Sequence, residues 1–439
     1  MANSSKKQLK YISNIQYPYE GDWDAKTKRH VTFTLSNVHY SFANALRRAM
    51  LSKLTTAGFK SEPHKFSTIK IEKNDTILNN QIISHRIAMI PINIANPDKF
   101  DVDDYLFMLD VSNDTNFVKL VTTEDFKVKR ISTNTFLSEK DTRELFPSDP
   151  LTNMFIPIVK LKPKYYTNIG GHDMVTSQEI GSSIKIPVSE PMTIKLSAKL
   201  VLSTGNENGH FSPVTVSAYA NTIDTSRVAQ SEQEYVDTET AKFVNMKLTP
   251  LSEEKLRRRF KINPIQRVFI VDETGEPISF DFRVESIGVI PPLICFERAL
   301  RWCIEAINRL VLNLQSGNEK EVNIVPVPHL GNGFEIQVEN EDYTLGNMLH
   351  SWINNECAAY YLDPSDRTLE SITYHKPHPL TPRIVFTVKP ISDAEPMTVV
   401  QTTIKKSCES FIKFVESILT ELTETGQYIT ELKSIINRP

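Results

Sequence analysis

Cysteine is scarce in this 439-residue chain. There are four, Cys295, Cys303, Cys357 and Cys408, and none forms a CxxC pair. That excludes a disulfide scaffold and a zinc ribbon, and makes a reducing compartment the natural setting. Long apolar runs are missing too. No stretch approaches the ~18 residues needed to span a membrane, so no membrane partner is expected. The opening residues, MANSSKKQLKYISN, carry no apolar segment of a secretory signal. Charge of one sign is not in excess: 50 Lys and Arg stand against 53 Asp and Glu, a net charge of −3. A protein that coats nucleic acid by bulk electrostatics would be strongly basic. Catalytic signatures are absent: there is no GxSxG, HExxH, P-loop or kinase-type set. The length predicts two or three domains, yet no Gly/Ser-rich or Pro-rich linker separates them.

What is present is a succession of short strands and amphipathic helices. Val31–Leu35 is rich in β-branched residues and reads as a strand. A helix follows from Ser41 to Leu51. His64–Glu72 alternates as a strand, and Ile77–Met89 reads as a helix stopped by Pro91. Met192–Leu202 is a strand. Asn221–Thr249 is polar and acidic and reads as a long loop; Ser252–Phe260 reads as a short basic helix. Pro277–Ile290 is strand-like, and Leu293–Leu314 is a long amphipathic helix. A second strand–helix pair follows at Phe334–Val338 and Thr344–Asn355. Strands near Ile372 and at Ile384–Lys389 precede a closing helix over Val399–Thr425.

This order hides a repeat. Offset by 303 residues, YSFANAL from Tyr40 falls on YTLGNML from Tyr343. Phe42, Ala45, Leu46, Ala49 and Met50 fall on Leu345, Met348, Leu349, Trp352 and Ile353, one face of a helix in each case. Ser41 and Thr344 stand where an N-cap is expected. Offset by 108, Phe296, Leu300, Cys303, Ile304, Ile307, Leu310, Val311 and Leu314 fall on Ile404, Cys408, Phe411, Ile412, Val415, Ile418, Leu419 and Leu422. The chain therefore reads as two copies of one plan: strand, capped helix, further strands, long helix. Each long stripe needs cover, and the simplest cover is the other copy, as in an isologous dimer. The fold class expected is α+β, with two pseudo-two-fold related units packed through their long helices. The first unit (1–60 and 190–316) is interrupted by a mixed α/β insert (61–189), and the second covers 317–439. Phe42, Leu46, Met50, Phe296, Leu300, Ile304, Ile307, Val311, Leu345, Leu349, Trp352, Phe411, Val415 and Ile418 are the expected internal interface.

At this point the residues resemble a known family. LSNVHYSFANALRRAM from Leu35 resembles the opening strand and helix of the alpha-type assembly subunits of multisubunit RNA polymerases. ILNNQIISHRIAMIPI from Ile77, TGNENGHFSPV from Thr204 and VESIGVIP from Val284 are similar to three further segments of the third-largest subunit and its archaeal D counterpart. EDYTLGNML from Glu341 and YHKPHPL from Tyr374 resemble the eleventh subunit, archaeal L. The resemblance covers nearly the whole chain in family order. It implies a non-catalytic platform that gathers the two largest polymerase subunits and a small platform subunit, with little or no direct DNA contact. Fusion of two such subunits resembles the arrangement in large cytoplasmic DNA viruses. That implies a viral factory in the host cytoplasm, and the virion, as the location; a cellular origin would imply the nucleus. The insert lacks the family's cysteine-rich zinc loop, so no metal or cofactor is carried over. With the last residues following directly on the long helix, the promoter-contacting role of the bacterial subunit's DNA-binding domain is not expected.

The resemblance implies docking roles for Asn44, Arg47 and Arg48; for His85, Arg86 and Pro91; for His210, Phe211, Ser212 and Pro213; and for Lys376 and His378. Each has a plainer reading beside it. Arg47 and Arg48 suit carboxylate or carbonyl recognition or form a solvated basic edge. His85 and Arg86 suit a helix C-terminus. The loop at His210 lacks the lysine and following helix of a phosphate cradle and is otherwise an ordinary strand connection. Lys376 and His378 flank prolines that stiffen a contact loop or any tight turn. Two rivals to the platform remain: a stand-alone enzyme of unrecognised type, and a free nucleic-acid-binding factor.

Overall fold

A computed structural model describes residues 10–18, 28–115, 117–163, 168–169, 172–173, 191–246, 251–392 and 394–436. Parts of the expected units at 1–9, 19–27 and 437–439, most of 164–190 in the expected insert, and 247–250 of the expected loop lie outside them. The chain runs β1 (Ile12–Gln16), β2 (His30–Ser36), α1 (Tyr40–Ser52), β3 (Thr55–Phe59), β4 (Ile69–Asn74), α2 (Asn80–Ala88), β5 (Tyr105–Asn113), β6 (Lys119–Thr122), β7 (Lys127–Arg130), β8 (Thr135–Phe136), α3 (Glu139–Leu145), β9 (Pro157–Leu161), β10 (Asn168–Ile169), β11 (His172–Asp173), β12 (Met192–Ala198) and β13 (Leu200–Thr204). It continues through β14 (Val214–Asn221), α4 (Thr225–Asn245), α5 (Glu253–Ile262), β15 (Ser279–Ser286), α6 (Pro292–Ser316), β16 (Val322–Val327), β17 (Gly333–Glu339), α7 (Tyr343–Cys357), β18 (Leu369–His375), β19 (Arg383–Pro390), α8 (Pro396–Thr423) and α9 (Gly426–Ile435).

Two four-stranded antiparallel sheets repeat one plan. The first has the order β1-β2-β15-β14 and the second β16-β17-β19-β18. The offset of 303 holds at both ends of the repeated strand, from His30 and Ser36 to Gly333 and Glu339. Alternation puts Val31, Phe33 and Leu35 inward in β2, and Phe334, Ile336 and Val338 inward in β17. The long helices repeat as well. The buried residues of α8 (Val400, Thr403, Ile404, Ser407, Cys408, Phe411, Val415, Ile418, Leu422) map under the offset of 108 onto buried Pro292, Cys295, Phe296, Ala299, Leu300, Cys303, Ile307 and Leu310, and half-buried Leu314. Gly317, at φ 63°, ends α6 in the left-handed conformation that costs glycine least.

Helix α1 packs on α7, and α6 on α8, so one hydrophobic core runs through both units. A separate core, from Ala57 to Leu200, fills the five-stranded sheet β4-β12-β5-β7-β8 and the pairs β3–β13 and β6–β9. In the shared core the rings of Phe42 and Trp352 meet Phe411 at 5.6 and 5.1 Å, both edge-on. Each such pair contributes about 0.5–1.5 kcal/mol beyond its area. The indole of Trp352 donates to the Ser407 carbonyl at 3.1 Å, so the polar end of that ring is not left unpaired.

Three expectations are corrected. The N-caps are His39 and Asp342, two residues ahead of Ser41 and Thr344. An imidazole nitrogen and a carboxylate oxygen accept the Ser41 and Thr344 amides at 3.2 and 2.8 Å; the two caps are themselves 303 apart. Asn221–Thr249 is not a long loop. Thr225–Asn245 is a helix that buries only Val236, so it lacks the apolar stripe by which a helix is recognised. Side-chain bonds four residues apart, Gln230 to Glu234 and Gln233 to Asp237, support it instead. Finally, the long helix does not close the chain: it stops at Thr423, and Thr425 caps a further helix, α9.

Candidate docking surface

The first unit's helix α1 carries Asn44, Arg47 and Arg48 at its edge, all half-buried. Arg47 donates to Asn44 Oδ1 at 3.0 Å, three residues back. Arg48 reaches the second unit, where its Nε donates to Thr344 Oγ1 at 2.8 Å. One turn further on, Lys53 pairs with Asp342 at 2.8 Å. Burial pushes the Asp342 carboxyl up, but Lys53 and the Thr344 donors more than offset this and hold it below its ordinary value. The neighbouring Glu341, 6% exposed, takes Arg309 of α6 at 2.7 Å. There burial prevails and the carboxyl lies above its ordinary value. Both acids of the EDYT segment therefore hold cations of the first unit, one on α6 and one just after α1.

His85 and Arg86 lie exposed in the last turn of α2, and Pro91 is exposed just beyond it. Arg86 donates to the Pro157 carbonyl at 3.3 Å. The loop at His210 is built differently. Phe211 is 2% exposed, and its carbonyl accepts the Thr56 hydroxyl at 2.6 Å. Its ring lies so close to Gly58 that a Cβ there would sit 2.9 Å from it. Ser212 donates to the Val214 carbonyl at 2.9 Å, and the buried Pro213 offers its carbonyl to Ile287 N–H at 3.1 Å. His210 stays half-buried. Its Nε2 bonds the Phe59 carbonyl at 3.1 Å, so that nitrogen carries the proton. Burial holds the imidazole below its ordinary value, and nearby His85 pushes the same way.

His85 and His210 thus share one open groove of about 1190 Å³, bordered by β4, α2 and the 207–211 loop. They are 125 residues apart in sequence and neighbours in space. The Lys376 loop is elsewhere. It joins β18 to β19 in the second unit, where the first unit joins β14 to β15 through α4 and α5. Lys376 lies over the Tyr343 ring at 5.8 Å. His378 is exposed, its Nδ1 accepting the Leu380 amide at 3.2 Å.

The sequence of the RNA polymerase Rpb3/Rpb11 dimerisation domain matches twice, over residues 32–306 and again over 334–421. The chain belongs to that family. It is 37% identical over 90 residues to DNA-directed RNA polymerase subunit Rpo3 of Pyrococcus horikoshii, covering 19% of this chain and 31% of the relative. It is 27% identical over 161 residues to the Dictyostelium discoideum DNA-directed RNA polymerases I and III subunit rpac1, covering 32% and 41%. With the rpb3 subunit of RNA polymerase II from the same organism it shares 36% over 70 residues, covering 16% and 21%. The matched stretches thus span under half the length of each of these relatives.

The Rpb3/Rpb11 dimerisation domain occurs twice in one chain, which accounts for the repeat and for the missing linker. Phe42, Leu46, Met50, Phe296, Leu300, Ile307, Leu345, Leu349, Phe411, Val415 and Ile418 lie buried in the shared core, with Ile304, Val311 and Trp352 packed against it half-buried. Sequence reasoning missed Lys53, Arg309, Glu421 and Glu431, all of which bridge distant parts of the chain. An unpaired charge next to an apolar face was the only available signal.

Proposed function

We propose that this chain is the non-catalytic assembly platform of a multisubunit DNA-directed RNA polymerase, in which two fused dimerisation units dock the two largest subunits and a small platform subunit. The observation that carries this reading is the internal dimer: both family matches share one core, and the groove with His85 and His210 faces outward from the insert. On this reading His85, Arg86, Pro91, His210, Lys376 and His378 meet the large subunits. Asn44, Arg47, Phe211, Ser212 and Pro213 shape that surface, and Arg48 divides its role between docking and the internal joint. The boundaries 1–60 with 190–316, 61–189 and 317–439 belong to the same proposal; a separate middle core supports a distinct insert, although that core also takes in Ala57, Phe59, Ile194, Leu196, Ala198 and Leu200 from the flanking segments. The proposal includes little direct DNA contact, in keeping with a net charge of −3. It also includes the location of the fused form: viral transcription in a host-cytoplasm factory and the virion, or the nucleus in a cellular host.

A tagged full-length chain expressed in its natural host should co-purify with two much larger subunits. A stand-alone enzyme would instead show turnover when purified alone, and a free nucleic-acid-binding factor would show tight, salt-sensitive DNA binding.

A further inference from the structure

Helix α6 begins without a cap of its own. Its N-cap is Pro291, which makes no side-chain cap bond, and the first free amides of a 25-residue helix point at the end of the chain. Glu431, on α9 of the second unit, fills that position. It is 4% exposed, and its Oε2 accepts Leu293 N–H at 2.8 Å. Its other oxygen accepts the Tyr17 hydroxyl at 2.8 Å. A residue 138 positions away along the chain therefore caps α6, and the same carboxyl holds the segment that follows β1.

Three further side chains close the same corner. Glu421, near the end of α8, accepts the Tyr11 and Ile12 amides at 2.8 and 2.9 Å. Asn96 donates to the Ile435 carbonyl, the last of α9, at 3.3 Å. Beside it, Arg298 of α6 donates to the Ala95 carbonyl at 2.6 Å. The second unit's last helix thus touches the N-terminal segment, the start of α6, and the stretch just after His85–Pro91.

We propose that α9 is a clasp that opens and closes as a unit, fixed shut by Glu431 on the N-terminus of α6 and on Tyr17, and that loss of the Glu431 proton favours opening. The groups facing that carboxyl are few. Tyr17 comes from the N-terminal segment, with Lys28 over its ring at 5.5 Å. From α6 come the Cys295 thiol and, through Tyr428 on α9 itself, Glu297, Arg298 and Arg301. Burial raises the carboxyl from 4.5 to about 7, against the lowering effect of Tyr17, the Leu293 and Ile294 amides and Lys28. An opened clasp returns the carboxyl to water and to its ordinary value. Closing therefore takes up a proton at pH between about 4.5 and 7. Raising the pH across that window moves the closed-to-open ratio by on the order of a hundredfold toward open.

Amide hydrogen exchange on the full chain, corrected for intrinsic rates, tests this. Protection over 10–18 and 426–436 should fall between pH 5 and pH 8, while protection in β17 and β19 stays constant. Glu431→Gln keeps an acceptor for Leu293 and removes the titration, so its protection there should be flat with pH. Tyr17→Phe should lower protection at every pH and keep the slope. Wild-type protection independent of pH, or an unchanged slope in Glu431→Gln, would overturn the proposal. The wild-type arm decides even if a variant fails to fold.

Discussion

Arg48 donates its Nε–H to the hydroxyl of Thr344, 2.8 Å away and 296 residues on. One residue was expected at an outward docking site and the other as a helix cap. Together they form a joint between the two units. Thr344 is 2% exposed; its hydroxyl donates to the Asp342 carboxylate and accepts from that guanidinium, so removing Arg48 leaves a buried acceptor site unfilled. Arg48→Ala should therefore lower stability by about 1–2 kcal/mol, read as a fall of a few degrees in the unfolding midpoint. Unchanged stability with weakened subunit binding would assign Arg48 to docking alone.

Ile307 sits in the middle of the α6 stripe with no exposed surface. Ile307→Asp places a carboxylate there with no cation to meet it, and expression should give insoluble protein. Phe411→Ala, which removes the ring shared by Phe42 and Trp352, should cost about 3–5 kcal/mol. A soluble, monodisperse Ile307→Asp protein would count against the paired long helices.

Gly205 has no room for a side chain. A Cβ there would stand 2.2 Å from the Leu51 carbonyl oxygen, at the end of α1. Backbone cannot swing aside as a side-chain tip can, so Gly205→Ala should destabilise the chain by roughly 1–3 kcal/mol. At Gly58 the obstacle is the Phe211 ring at 2.9 Å. Gly58→Ala should displace that ring and the 207–211 loop, visible as lost protection at Phe211 and His210.

Acid should weaken the joint at α7. Asp342 has its carboxyl held below 3.8 in the folded chain, with Lys53 and the Thr344 donors overcoming burial. A depressed carboxyl contributes stability above its unfolded value and loses it as the pH falls through the folded one. The unfolding midpoint should therefore drop below about pH 4. Asp342→Asn should flatten that part of the profile while starting from a lower midpoint at pH 6.

How much of this was legible in the sequence depends on where the signal lay. The offset of 303 was, because apolar spacing survives duplication; it holds at both ends of β2 and β17. The caps were misread by two residues because His39 is a rare cap, and because Ser41 and Thr344, two residues past the true caps, have favoured capping side chains. Helix α4 was hidden because it buries Val236 alone. Glu431 was invisible, since a glutamate in a polar tail gives no hint of meeting an amide 138 residues away. His85 and His210 were both picked out, but their shared groove is a fact of tertiary packing.

His85 is exposed and makes few internal demands, so His85→Glu should leave the unfolding free energy within about 0.5 kcal/mol of wild type. Paired with a wild-type control, it separates docking from folding at the groove.

The most direct measurement is the mass composition of the native complex purified through a tag on this chain. The account predicts two subunits much larger than this one, in equal stoichiometry with it, and their loss from the His85→Glu preparation. Recovery of the chain by itself, folded and free of both, would contradict it.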